Sequence, residues 1–187
     1  MKLKNKTSKK RMEKMPNFTF KMMTLMFKIF DFFKPVENFI DTIDIKKGDT
    51  VIDYGCGPGR YIKKASENVG DNGKVYAVDV HELAIRAVQN KEKKYNLYNV
   101  IPILADEYSC NIEDNVADLI YALDMFHIIK EPSPFLHELK RLVKKEGILI
   151  IEDGHQSREK SKEKIEKSQT WKIINETDRY LKCKPIK

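Results

Sequence analysis

The sequence predicts an α/β protein built on a doubly wound, mostly parallel sheet, and three observations carry that expectation. From residue 49 onward, short apolar runs alternate with segments of helical period, the pattern of successive βαβ units. A turn with glycine at every second position, Gly55, Gly57 and Gly59, follows the first of those runs. The last two runs are joined by too few residues for a crossover, so they must pair as an antiparallel hairpin.

The elements follow in chain order. FTFKMMTLMFKIFDFF (18–33) has its polar positions at Lys21, Thr24, Lys28 and Asp31, which line up as one stripe on a helix with a wide apolar face. Pro16 is placed to precede this helix and Pro35 to end it. A helix so apolar needs a partner: the body of the protein, a ligand site that it covers as a lid, or a membrane surface. TVIDY (50–54) is a strand, 58–69 a helix stopped by Gly70 and the DNG turn, KVYAVDV (74–80) a strand and 81–95 a helix. VIPIL (100–104) is the third strand. VADLIYAL (116–123) is the fourth, apolar almost throughout, as a strand covered on both faces should be. Residues 134–143 read as a helix with Phe135, Leu136, Leu139 and Leu142 on one face, and GILIIED (147–153) as the fifth strand. A charged helix over 157–168 leads to TWKIINE (170–176) and RYLKCKPI (179–186), the hairpin strands.

The 187 residues fit one domain with an appendage. The net charge of +7 is unevenly placed: residues 1–14 hold seven Lys or Arg against Glu13 alone, a net of +6 that leaves only +1 for the rest. We expect residues 1–15 to be a basic, disordered arm and 16–187 a single domain, with 16–46 as its helical lid or cap. Such an arm can touch anionic lipid or nucleic acid, but the near-neutral body argues against a nucleic-acid partner. No run reaches the roughly 18 to 20 uncharged residues of a membrane span, and no secretory leader pattern is present, so a cytoplasmic location is expected. Cys56, Cys110 and Cys183 are too scattered for a disulfide framework or a zinc site.

In a doubly wound sheet, ligands bind beyond the carboxyl ends of the strands. Glycines in the turn after the first strand permit positive φ and a close backbone approach by a ligand. The third glycine comes one residue too early for a dinucleotide GxGxxG, and Arg60 occupies that position. Asp53 stands two residues before the first glycine, where a carboxylate suits a cationic ligand better than a pyrophosphate.

VIDYGCGPG (51–59) resembles motif I of the class I S-adenosylmethionine-dependent methyltransferases, and the likeness continues along the chain. Asp79 ends the second strand, Asp106 follows the third, and Asp118-Leu119-Ile120-Tyr121 followed by LDMFHII resembles the family's fourth strand and the segment after it. EPSPFLHELKRLVKKEGILIIED resembles its next helix and fifth strand, and the match runs over about 36–187. The resemblance implies a seven-stranded Rossmann-like sheet, mostly parallel with an antiparallel C-terminal hairpin strand, and S-adenosylmethionine as cofactor. It places that cofactor among Asp53, Tyr54, Gly55, Cys56, Gly57, Gly59, Asp79, Val80, Asp106, Glu107 and Leu123. In that scheme Asp53 attracts the ammonium, the glycines close over the methionine part, and Asp79 accepts both ribose hydroxyls. Asp106 and the Glu107 N–H fix the adenine.

Methyl transfer is chiefly a matter of alignment, and a base is needed only when the acceptor must lose a proton. The candidates at the ends of the fourth and fifth strands are Asp124, His127, Glu152, Asp153 and His155, with Asp124, His127 and His155 foremost. Their spacing supports no metal site. LDMF lacks the prolines of the Asn/Asp-Pro-Pro-aromatic motif found in base-modifying members of the family, which favours a small-molecule acceptor. The alternatives are a membrane-peripheral enzyme with a lipid or quinone-like acceptor, and a cofactor-binding pseudoenzyme.

Overall fold

The computed structural model describes residues 14–33 and 37–187. The basic arm over 1–13 and the helix stop at Pro35 lie outside the described residues. Helix α1 (Asn17–Phe33) and a single turn, α2 (Glu37–Ile40), precede the first strand. There follow β1 (Thr50–Tyr54), α3 (Ile62–Val69), β2 (Lys74–Asp79), α4 (Glu82–Tyr95), β3 (Val100–Leu104) and β4 (Ala117–Ala122). The chain ends with α5 (Pro132–Leu142), β5 (Val143–Glu152), α6 (Arg158–Ser168), β6 (Trp171–Glu176) and β7 (Tyr180–Pro185).

The seven strands form one sheet in the order β3-β2-β1-β4-β5-β7-β6. β1 to β5 run parallel, and β7 lies antiparallel between β5 and β6. Alternate strand residues feed two cores. Ile52, Ile120, Leu149, Ile151 and Leu181 pack against Phe135, Leu136 and Leu139 of α5 and Ile165 of α6. Val51, Val75, Leu119, Tyr121 and Ile150 pack against Ile62, Ala65 and Val69 of α3 and Val88 of α4. Trp171 is buried with its indole N–H donating to the Leu136 carbonyl at 2.9 Å.

Three boundaries differ from the sequence reading by two residues or more, and α5 is one of them, starting at Pro132 rather than 134. The helix expected from Pro58 begins only at Ile62, because Gly59 holds φ +71° and the 58–61 segment stays in turns. The fifth strand begins at Val143, four residues before GILIIED, since Val143 pairs with Ala117 and the charged residues between run on extended. Gly147 is required there: a Cβ would lie 2.8 Å from the Ala117 carbonyl oxygen.

Candidate methyl-donor and acceptor site

The glycine turn lies at the switch point of the sheet, where β1 meets β4 and the strand order reverses. Gly55, Gly57 and Gly59 take φ of +83°, +51° and +71°, all in the left-handed region that glycine alone enters freely. The N–H groups of Gly55 and Cys56 both donate to the Val78 carbonyl, and Lys91 of α4 donates to the Gly59 carbonyl at 2.6 Å. A Cβ on Gly57 would meet nothing within 4 Å, so the turn has open space in front of it.

Asp53 is 2% exposed, in register with Ala77 and Tyr121. Its Oδ2 is buried without a hydrogen-bond partner, as is the Tyr121 hydroxyl. Burial raises the Asp53 carboxyl to about 8; nearby Tyr121 and Lys91 oppose the rise and the Asp79 charge adds to it. Asp79 closes the turn from the other side. Its two oxygens accept from the Gly57 and His81 N–H groups, each at 2.8 Å. Burial raises its carboxyl pKa too, against the pull of these bonds.

The remaining residues are placed unevenly. Tyr54 and Cys56 send their side chains into the cores: the Tyr54 hydroxyl donates to the Tyr108 carbonyl at 2.7 Å, and burial pushes the Cys56 thiol up. Only their backbone faces the turn. Leu123 is buried and Val80 half-buried. Asp106 is exposed at the head of a tight turn closed by its bonds with Ser109, in which Glu107 takes φ +55°. Arg141 of α5 buttresses this loop, reaching Asp114 and the carbonyls of Cys110 and Ile112, with Glu138 alongside.

A cavity of about 400 Å³ opens beside the turn, lined by Arg60, Tyr61, Asp124, Glu152, Asp153, Gly154, Asp178 and Arg179. Asp124 stands at the end of β4 with φ +52°, a strained conformation for a residue with a side chain. Burial raises the Glu152 carboxyl pKa, with Arg179 opposing and Asp124 adding. Arg158 holds Asp153 at 2.6 Å. His127 and His155 meet edge to face, ring centres 4.9 Å apart, but neither belongs to the cavity lining. His127 sits behind Gly154, where a Cβ would come within 2.1 Å of its Nδ1. Burial lowers its pKa; Asp124 works the other way, and His155 and Lys164 lower it further. Among the described residues no group of three or more His, Cys, Asp or Glu could hold a metal ion.

Sequence reasoning missed Lys91, Tyr121 and Arg179, and it noted Arg60 only as the residue displacing a glycine. It had no means of finding them, since each acquires its place through contacts across elements. Helix α1 bridges the two sides of the turn. At one end Phe20 stacks on the His81 ring, centres 4.4 Å apart, and His81 Nε2 donates to the Met15 carbonyl at 3.0 Å while Nδ1 accepts from Leu83 N–H. At the other end Asp31 forms a two-pronged ion pair with Arg60, whose guanidinium lies 4.2 Å over the Phe27 ring. Asp31→Ala should leave the fold within about 1 kcal/mol of its stability, the pair being part-exposed. It should still speed S-adenosylhomocysteine dissociation several-fold in stopped flow. An unchanged rate would show that the helix does not gate the site.

The family model described as "Methyltransferase domain" matches residues 45–183. The chain belongs to that family. A solved S-adenosylmethionine-dependent methyltransferase from Aquifex aeolicus is similar over 80% of this chain and 89% of its own, at TM-score 0.75 and 28% identity. A probable cobalt-precorrin-6B C(15)-methyltransferase (decarboxylating) of Saccharolobus solfataricus is 38% identical over 68 residues, 36% of this chain and 34% of that protein. The (S)-coclaurine N-methyltransferase of Thalictrum flavum subsp. glaucum is 28% identical over 117 residues, 63% of this chain and 32% of the relative. The chain thus spans about a third of the length of these two curated relatives. S-adenosylmethionine is the cofactor of this family, and the methyltransferase site fits it. The orphaned, buried Asp53 Oδ2 matches an ammonium, and the open space at Gly57 admits a ligand against the backbone.

Proposed function

We propose that the chain transfers a methyl group from S-adenosylmethionine to a small-molecule acceptor seated in the cavity at the carboxyl ends of β4 and β5. The observation that carries this reading is the position of that cavity: Arg60 and Tyr61, which continue the glycine turn, form one of its walls. When bound, the cofactor supplies an electrophilic methyl on a sulfonium. The chain's own contribution is orientation and control of protons. Asp53, Asp79 and the turn hold the donor side, and loop 105–116, braced by Arg141, closes the adenine end. Asp124 and Glu152 face the acceptor, and Glu152, with its raised pKa, is the better-placed group to take a proton from it.

The volume of about 400 Å³ lies in the usual range of small-molecule sites. The test is to supply S-adenosylmethionine with a cell extract split by ultrafiltration and to follow S-adenosylhomocysteine release. Turnover is expected with the filtrate; turnover with the retained fraction alone would overturn a small acceptor. With the acceptor in hand, Glu152→Gln should lower kcat by about 10²-fold when the acceptor must lose a proton. His127→Ala, behind the lining, should cost less than about tenfold on the same reasoning. The reverse order would move the proton-accepting role to His127.

A further inference from the structure

Helix α1 has two faces of opposite fate. The inward face carries Phe20, Phe27 and Asp31 onto His81 and Arg60. The outward face carries Phe18, Met22, Leu25, Met26, Ile29 and Phe30, each between 46% and 75% exposed. Their spacing of one, three or four residues joins them into a continuous apolar strip along the helix. A strip of that size on a surface marks an interaction site. No helix among the described residues is long and apolar enough to cross a membrane.

We propose that this face lies flat on an anionic lipid surface. Charge selects that occupant. Lys21 and Lys28, seven residues apart and both exposed, form a row along one border of the strip, and exposed Lys14 precedes it. The single acidic residue of α1, Asp31, is turned away and paired with Arg60. In the sequence just upstream, residues 1–13 add six more cations against Glu13, so that residues 1–14 hold +6 of the protein's net charge of +7. A second copy docking through the same face would bring these cations against one another. The sequence upstream offers little apolar surface of its own, with Met1, Leu3 and Met12 as its apolar side chains. An anionic bilayer satisfies both features at once: the phenylalanine, leucine and methionine side chains enter the headgroup boundary while lysines reach the phosphates. The lysine stems can extend to that level along the apolar strip.

The experiment is co-sedimentation of the full chain with phosphatidylcholine vesicles and with phosphatidylcholine–phosphatidylglycerol vesicles, at low and high salt. Binding to the anionic vesicles alone, weakened by salt, is the expected result. Leu25→Gln/Ile29→Gln/Phe30→Gln should lower that partitioning at least about tenfold, with the S-adenosylmethionine-induced thermal shift retained as evidence of folding. Lys21→Glu/Lys28→Glu, which alters no apolar contact, should lower it about tenfold as well. Absence of binding, equal binding to neutral vesicles, or undiminished binding by both variants would overturn the proposal. So would a wild-type dimer that ignores vesicles and is broken by the triple substitution, which would assign the face to a second copy.

Discussion

Asp79→Ala should remove the thermal shift that S-adenosylmethionine gives the wild-type protein. At about 100 times its dissociation constant a ligand stabilises the native state by roughly 2.7 kcal/mol, which for a chain of this size corresponds to roughly 5 to 10 °C. Asp79 is the one carboxylate that both closes the glycine turn, through Gly57, and positions the start of α4, through His81. Its loss leaves the Gly57 and His81 N–H groups without their acceptor and, on the proposed reading, takes away the carboxylate that receives the ribose hydroxyls. Hydrogen bonds to a charged group contribute about 1.5 to 3 kcal/mol each, so losing two implies at least about a 100-fold weaker complex. The unliganded fold should lose only about 1 to 3 kcal/mol, because the strands on either side keep their ladders. Calorimetric titration of the folded variant decides the matter; affinity within threefold of wild type would remove Asp79 from the binding residues.

Asp53→Asn should act in opposite directions on stability and on binding. The Asp53 carboxyl is raised to about 8 in the folded protein and lies near 3.9 in an unfolded chain. Between those values the folded state holds a proton that the unfolded state has released, so wild-type stability falls as pH rises from about 4 to 8. Asparagine cannot ionise, and the variant escapes that fall. It should be more stable than wild type at pH 8 by at least about 2 kcal/mol, with little difference at pH 4. Binding of an ammonium favours the carboxylate, so cofactor affinity of the wild type should climb with pH, by up to about tenfold per unit, on the approach to pH 8. The rise ends where the ligand's own amine loses its proton. In the variant the climb should vanish and affinity at pH 8 fall at least about tenfold. Denaturant titrations and calorimetry at pH 5 and 8 measure both quantities. A variant less stable than wild type at pH 8 would mean that Asp53 is ionised and satisfied in the free protein.

Most of the fold was legible because the strands of a parallel sheet announce themselves as apolar runs: TVIDY, VIPIL and ADLIYA sit within a residue or so of where the pattern puts them. The glycine turn was legible for a related reason, since positive φ at three alternate residues leaves glycine as the natural choice. The start of α3 was not, because Pro58 is equally at home in a turn and in the first turn of a helix. The start of β5 was hidden by Lys144, Lys145 and Glu146, whose exposed side chains carry no apolar alternation. For α1 the periodicity revealed a wide apolar face but not which part of it is covered. That choice is made by Arg60, 29 residues beyond Asp31, and by His81, which draw a polar residue inward and leave six apolar ones outside. The cavity was the least legible. Asp178 and Arg179 come to the cavity only through the hairpin turn, and the two histidines that stood out in the sequence lie beside the cavity rather than in it.

The strand order has a further consequence, for how such a protein changes over generations. Asp53, the glycines, Asp79 and Asp106 all come from the chain ahead of β4, whereas Asp124, Glu152, Asp153, Asp178 and Arg179 come from β4 onward. The two sets are neighbours in space only because β1 and β4 lie side by side. Mutation in the later half can therefore reshape the cavity lining while the earlier half keeps the glycine turn and its carboxylates. Of the residues that line the cavity, Arg60 and Tyr61 are the two that belong to the first half. They are the positions where innovation in one half is answerable to inheritance in the other.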